Sequence, residues 1–465
     1  RIGRSQTRRH QLPMMLLTRA SSVRSWRPPP PTLLFVSFFV LVAAESHDSP
    51  PDPVPYGMDV SYPIHRHTVS TNYPWLAHNI DPDRNPTPEE YRTMPIQLLG
   101  DRAGYYESLM EGCRRHWNTT VGGECDEVEG DRIHMNLMQP RAMANYSALG
   151  FKKVRTPPFV FDLLTEFWNS NRDESTWDEE HWGRGYSFVN YWDQPSYMVN
   201  VEDYKFKGAG RAIRKAVWEA AQGAVEEWTG QKLRPSSLYG IRVYKEGHIL
   251  ATHVDRIPLV SSVIINVAQD VDEPWPLEVV GHDGKFYNVT MEPGDMVLYE
   301  SHTVLHGRPF ALKGRYFANV FVHFAPIDES LDEDGIPNFV VDPSVESEQF
   351  WRNQLNGDAQ KDYHKRDEPL GNLAAAEGNL RLLQHIHSKN PGDLTVPDGN
   401  GWQPIHEASR GGMTEAIEYL VQHARVDIRA RTNFGETPLE LALAFHDSDH
   451  PAVQMIKQLM MDREL

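Results

Sequence analysis

Along the chain the spacing of apolar residues changes several times, and each change marks a different kind of element. Val160, Leu163, Leu164 and Phe167 recur at three and four residues, which puts them on one side of a short helix. Ile213, Val217, Ala220, Ala224 and Trp228 repeat the pattern over a longer stretch that stops at Gly230, a helix terminator. Between Ser237 and Pro326 the period falls to two. Ile241–Tyr244, Val263–Val267, Phe286–Thr290, Met296–Tyr299 and Tyr316–Phe324 read as short strands parted by Pro and Gly turns. That pattern predicts an α+β chain built on a small all-β barrel or jelly roll with flanking helices. The apolar stripes are read as core positions rather than cofactor sites.

Other stretches lack these periods. Residues 45 to about 95 are rich in Pro, Asp, Asn and His, and together with the ambiguous segment up to 150 they are expected to form an extended N-terminal region. Residues 327–350 hold eight Asp or Glu and no Lys or Arg, which predicts a solvated linker running to about residue 365. The segment 366–465 then repeats with a period of 34 residues. Gly401-x-x-Pro404-Ile405 returns as Gly435-x-x-Pro438-Leu439, Ala408 returns as Ala442, and Ala374 with Gly378 matches Ala408 with Gly412. These units resemble ankyrin repeats, whose Thr-Pro-Leu-His opening is represented by Gln403-Pro404-Ile405-His406 and Thr437-Pro438-Leu439-Glu440. The unit near Leu370 lacks the tetrad, as a capping repeat does, so about three repeats are expected. Such a stack binds a protein partner or braces the β unit.

Composition narrows the class. With 465 residues, 40% apolar and 10% aromatic, the chain can bury two or three cores. The formal charge is −18, and the first 44 residues contribute seven arginines and no acid, so the remainder is more acidic still. Such a surface repels nucleic acid and anionic membranes and is compatible with a cationic partner. Arg19, Arg24 and Arg27 precede the apolar run Leu33–Ala44, and Val42-Ala43-Ala44 resembles a signal-peptidase site; residues 1–44 are therefore expected to be a secretory signal. Left uncleaved, the run would be a short membrane anchor, although it falls below the roughly 20 residues of a full span. Cys113 and Cys125, the only cysteines, suit one disulfide, with buried free thiols as the alternative. Asn118, Asn145 and Asn288 open glycosylation acceptor tripeptides. The final Asp462-Arg463-Glu464-Leu465 resembles an ER-retention tail but departs from it at two positions. These features point to the lumen of the endoplasmic reticulum or Golgi, whereas ankyrin repeats are commonest in the cytosol.

The candidate chemistry lies in His253-Val254-Asp255. On a strand, residues i and i+2 face one side, so an imidazole and a carboxylate can grip one metal while a third ligand arrives from elsewhere. Two histidines and one carboxylate leave coordination positions open on iron for dioxygen and a chelating cosubstrate. The surrounding text is similar to the prolyl 4-hydroxylase family of 2-oxoglutarate/Fe(II) dioxygenases. Tyr244-x-x-Gly247-x-x-Leu250-x-x-His253-x-Asp255 carries the likeness first, then Ile265–Val271, then Gly294–Tyr299, Leu305-His306-Gly307 and Leu312–Asn319, together spanning residues 237–326.

The resemblance implies a double-stranded β-helix over 151–326, Fe(II) held by His253, Asp255 and His306, and 2-oxoglutarate as cosubstrate with ascorbate as reductant. It further implies that Arg315, with Tyr244 beside it, grips the far carboxylate of 2-oxoglutarate. Lys313 is the alternative to Arg315, because Arg315 lies one residue closer to His306 than the family spacing, and a core tyrosine is the alternative for Tyr244. His302 rivals His306 as distal ligand. His323, Asn319 and Arg242 share the phase of the site and either line it or serve the structure, while His248 and His282 read as surface or core residues. Glu273–Glu278 replaces the family's Gly-Gly-x-Thr strand, so the substrate groove is expected to differ. The implied activity is hydroxylation of a peptidyl residue, proline first. A small-molecule substrate, or a protein-binding scaffold with an inactive oxygenase domain, are the other readings.

Overall fold

Among the residues that the computed structural model describes, 103–327, 339–345 and 368–462, twelve strands form two antiparallel sheets. The expected signal, the lead-in as far as residue 102, most of the acidic linker and Arg463–Leu465 lie outside these residues. The strands are β1 (Phe151–Arg155), β2 (Asp178–Glu179), β3 (Tyr197–Asn200), β4 (Leu233–Ser237), β5 (Gly240–Lys245), β6 (Leu250–His253), β7 (Ser261–Val271), β8 (Leu277–Val280), β9 (Phe286–Val289), β10 (Asp295–Tyr299), β11 (His306–Arg308) and β12 (Gly314–Pro326). The larger sheet has the order β1-β10-β7-β12-β5-β3-β2, with β4 also paired to β12. The smaller has the order β6-β11-β8-β9.

Alternation along the strands builds a layer on each side of the larger sheet. Val263, Ile265, Val320 and Val322 point outward, against the helices α3 and α4 described below. Tyr244, Ile264, Val297 and Phe317 point inward and meet Leu277, Val279, Tyr287 and Val289 of the smaller sheet. The interior between the sheets is therefore apolar and aromatic, and polar groups that enter it stand out.

Four helices surround the sheets: α1 (Ala103–Trp117), α2 (Glu124–Ala142), α3 (Pro158–Ser170) and α4 (Arg211–Thr229). Proline opens α3 at a position where no backbone N–H is needed, and α4 ends at Gly230, whose φ of 72° is the left-handed conformation that glycine adopts freely. Residues 103–117 and 124–142 are thus helical, a correction to the extended region expected there. Cys113 and Cys125 join α1 to α2 with their sulfurs 1.97 Å apart. No described helix is long and apolar enough to cross a membrane.

The C-terminal segment folds into three helix pairs: α5 (Leu370–Ala376) with α6 (Leu380–Lys389), α7 (Pro404–Gly411) with α8 (Thr414–Gln422), and α9 (Pro438–Phe445) with α10 (Pro451–Asp462). The repeated tetrads are helix starts. Gln403 and His406, like Thr437 and Glu440, close reciprocal capping boxes, with proline at the first helical position in both.

The repeats pack against the β unit through one continuous apolar core that includes Leu373, Ala374, Ala212 and Val217. The joint also has a polar part. Glu377, just past α5, accepts hydrogen bonds from the amides of Arg211 at 2.6 Å and Ala212 at 3.1 Å, so a repeat side chain caps the N-terminus of α4. Gly210, the N-cap residue, leaves the space; a Cβ there would stand 2.2 Å from the carboxylate. Arg381 of α6 pairs with Glu166 and Asp162 of α3, and the rings of His385 and Phe159 stack at 3.4 Å.

Candidate metal centre

His253 ends β6 and His306 begins β11, and the two are directly opposed in the antiparallel ladder. Neighbouring strands lie about 4.8 Å apart, and the imidazole centroids are 4.5 Å apart. Gly307 permits this approach, since a Cβ there would stand 2.7 Å from the backbone of Thr252. Asp255 sits two residues beyond β6 rather than on it, and its backbone N–H donates to Ser301 O at 2.7 Å. Asp255 Oδ1 is then 3.6 Å from His253 Nε2 and 4.0 Å from His306 Nε2. The three candidate ligand atoms all fall within 4.8 Å of one another.

The ring orientations are set by the backbone. His253 Nδ1 lies 2.7 Å from Ala251 O and His306 Nδ1 lies 2.8 Å from Val304 O. A carbonyl only accepts, so each Nδ1 carries the proton and each Nε2 turns its lone pair to the centre. Burial pushes His253 down to about 4, and burial together with the adjacent His253 holds His306 well below the ordinary histidine range, so both rings are neutral near pH 7. Burial raises the Asp255 carboxyl to about 7 against the opposing hydrogen bond of Ser301 and the charges of Arg256 and Arg242. Its Oδ2 is buried without a hydrogen-bond partner, with His323 Nδ1 at 3.5 Å. His323 is in turn fixed by Ser262 Oγ at 2.7 Å, and Ser262 meets Ser301 Oγ at 2.6 Å. Two neutral imidazoles and one carboxylate with an unused oxygen fit a divalent first-row metal such as Fe(II).

Helix α2 holds this constellation from behind with a polar face. Gln139 Nε2 donates to Asp255 O at 2.7 Å and to His302 O at 2.8 Å, which ties the two ligand-bearing segments together. Asn136 donates to Thr252 O and accepts from Val254 N, each at 3.0 Å. Arg132, paired with Glu129, also reaches Thr252 O. These four residues are all buried, and their spacing of three, four and three is the one sequence signal that could have revealed them. Phe188 adds an aromatic wall, its ring 5.4 Å from His253 and 4.6 Å from Tyr186.

Other expected site residues divide. Tyr244 points into the interior between the sheets, and its hydroxyl interacts with the Arg242 guanidinium but makes no well-formed hydrogen bond. Asn319 and His323 face the same interior, whereas Arg242 is engaged by Glu180 at 2.8 Å. Arg315 is a correction: it is 54% exposed and pairs with Asp270 and Asp272 on the outside of the sheet, so it does not reach the centre. Lys313, 64% exposed and 2.8 Å from Glu273, does not either. His302 turns its nitrogens to Val260 O at 2.7 Å and Ala144 O at 2.9 Å, away from Asp255. His282 is held between Ser147 O and Thr303 Oγ1, and His248 is buried beside Tyr244. Asn118 and Asn145 are exposed, while Asn288 is half-buried on β9. The sequence reading missed Arg308, a buried residue two positions beyond His306.

Comparison with known proteins reaches the parts of the chain unequally. The ankyrin-repeat family, in three copies, matches residues 372–462. Ankyrin repeat and SAM domain-containing protein 6 of Mus musculus is 28% identical over 147 residues, covering 31% of this chain and 14% of its own. Ankyrin repeat and SOCS box protein 3 of Bos taurus is 36% identical over 72 residues, covering 15% of this chain and 14% of its own, so the chain spans a small part of these relatives' length. Among solved structures, a Pseudomonas putida prolyl-4-hydroxylase aligns over 41% of this chain and 99% of its own, with a TM-score of 0.29 and 14% identity. The yeast ribosomal protein Rps3 in complex with its chaperone Yar1 aligns over 22% of this chain and 70% of its own, with a TM-score of 0.19 and 15% identity. The three helix pairs that close the described chain are ankyrin repeats.

Proposed function

We propose that this protein is a non-haem Fe(II), 2-oxoglutarate-dependent dioxygenase of double-stranded β-helix type that hydroxylates a residue of a peptide or protein, with proline as the expected target. The observation that carries the reading is the convergence of His253 Nε2, His306 Nε2 and Asp255 Oδ1 within 4.8 Å between two facing sheets. The sequence resemblance over 237–326 supports the choice of cosubstrate and of ascorbate as reductant.

Bound ferrous ion with 2-oxoglutarate supplies the activation of dioxygen and the oxidation of an unactivated C–H bond. The chain supplies the rest. His253 and His306 hold neutral donors in fixed rotation, Asp255 brings the charge, and His323 with Ser262 keeps the carboxylate from turning away. Phe188 and Tyr299, whose rings lie 5.4 Å from His253 and 4.6 Å from His306, keep water from the centre. The Cys113–Cys125 bridge supports a site of action in the secretory lumen.

A second reading, a protein-binding scaffold with an inactive oxygenase-like domain, is favoured by the concentration of family and curated matches on ankyrin repeats. Anaerobic titration with Fe(II) and 2-oxoglutarate separates the two. The dioxygenase develops a visible charge-transfer band that His253→Ala and Asp255→Ala abolish, whereas the scaffold develops none. Peptides bearing Pro, Lys or Asp, scored by a mass gain of one oxygen, then identify the target residue.

A further inference from the structure

Arg308 is a buried cation that the metal-binding residues leave unexplained. It is 1% exposed, the ionisable groups that face it are Tyr244, Tyr299 and His306, and it makes no ion pair with a carboxylate of the described residues. Its polar contacts are weak. Nε is 3.4 Å from Trp275 O, Nη2 is 3.8 Å from the Met291 sulfur, and Nη1 has no partner. With the Asn319 amide turned to satisfy its surroundings, Asn319 Oδ1 accepts from Nη2 at 3.2 Å. The rings of Trp275 and Phe317 lie 4.9 and 4.8 Å from the guanidinium carbon. Aromatic rings solvate the faces of a guanidinium, but its edge still requires acceptors. An unpaired buried charge is costly, and an anion reaching this edge would offset that cost. Beside it the buried Tyr244 hydroxyl makes no well-formed hydrogen bond, although it also interacts with the Arg242 guanidinium.

Position sets the length of that anion. Arg308 lies two residues beyond His306 on β11, which places the two about 7 Å apart along the strand. Tyr299, 4.6 Å from the His306 ring, also faces Arg308, so both side chains point into the same interior. A five-carbon diacid places its carboxyl carbons about 5 Å apart, which suits one end at the metal ligands and the other at the guanidinium. A shorter acid leaves one end unbound.

We infer that Arg308, with Tyr244 and Asn319 beside it, anchors the far carboxylate of a five-carbon 2-oxo diacid whose other end lies at His253, Asp255 and His306. This rests on the dioxygenase reading and deepens it, because the anchor moves from the expected basic residue of β12 to the strand that carries the distal histidine. Arg315 and Lys313 are neutralised on the surface by Asp270, Asp272 and Glu273.

Equilibrium binding to the full chain loaded anaerobically with Fe(II) tests the assignment, read by calorimetry and by the fluorescence of the protein's tryptophans, among which Trp275 touches the anchor. Arg308→Gln is expected to weaken 2-oxoglutarate roughly 100-fold, Arg308→Lys less, and Tyr244→Phe about 5-fold. Pyruvate, which lacks the far carboxylate, should change by no more than about 3-fold in the same variants, and Arg315→Gln should bind 2-oxoglutarate as the parent does. Unchanged Fe(II) affinity in Arg308→Lys and Tyr244→Phe shows that the fold persists. Parental 2-oxoglutarate affinity in both Arg308→Lys and Tyr244→Phe, or its loss in Arg315→Gln, overturns the anchor while leaving the metal centre standing. A parent protein that takes up no Fe(II) instead defeats the dioxygenase reading and the anchor with it.

Discussion

His302 and His306 stand four residues apart, and their ring nitrogens give them different work. Both nitrogens of His302 face backbone carbonyls, whereas His306 spends one on Val304 O and keeps the other for the centre. His302→Ala should therefore leave Fe(II) affinity within about 3-fold of the parent and lower stability by about 2 kcal/mol, because a buried carbonyl loses its donor and the ring leaves a cavity. His306→Ala should do the reverse, abolishing the metal signal with a small change in the urea midpoint. Equal loss of Fe(II) binding in the two variants would contradict the assignment. The convergence of His253, Asp255 and His306 was legible because a strand carries i and i+2 to one side and the neighbouring text favoured His306 over His302 as the third group. Arg315 was not. The β12–β7 ladder shifts register between Gly314 and Tyr316 and again between Ala318 and Asn319. Each shift changes which residues of β12 face inward, and no count of residues from His306 reveals it.

At the scale of elements, legibility followed apolar periodicity. The strands β5, β7, β9, β10 and β12 and the helices α3 and α4 stand where the sequence predicted them. Strand β6 escaped because its four residues, Leu250, Ala251, Thr252 and His253, hold only one large apolar side chain and so show neither an apolar run nor an alternation. Helix α2 escaped for the opposite reason, since the face it buries is polar and presents no apolar stripe. That face has work to do on the centre. Gln139→Leu should remove the donor shared by Asp255 O and His302 O, at a cost of about 1–3 kcal/mol. It should also weaken Fe(II) binding by roughly 10-fold or more although no ligand is touched. Urea denaturation and metal titration of the same preparation measure both, and loss of stability with parental metal affinity would show that α2 supports the fold alone.

For the whole molecule, the repeat period announced the ankyrin unit, but its attachment was hidden, because one glutamate past α5 gives no sign that it serves a helix more than 160 residues earlier. Removing that cap through Glu377→Ala should cost about 1 kcal/mol, read as a lower urea midpoint. Burial holds the Glu377 carboxyl above its ordinary range, against the pull of the Ala212 and Arg211 amides. The folded state therefore binds this proton more tightly than the unfolded chain. The stability it contributes is greatest at acid pH and declines as pH climbs through the carboxylate range. Glu377→Gln should flatten that decline, and an unaltered pH profile would show that the carboxyl does not titrate with folding.

The same glutamate has a practical corollary for anyone expressing the β-sheet portion by itself. A gene trimmed after residue 345 would strand the first amides of α4 and bare the greasy seam beneath Leu373 and Ala374, so inclusion bodies rather than a well-behaved half-protein are the outcome to expect from that cut.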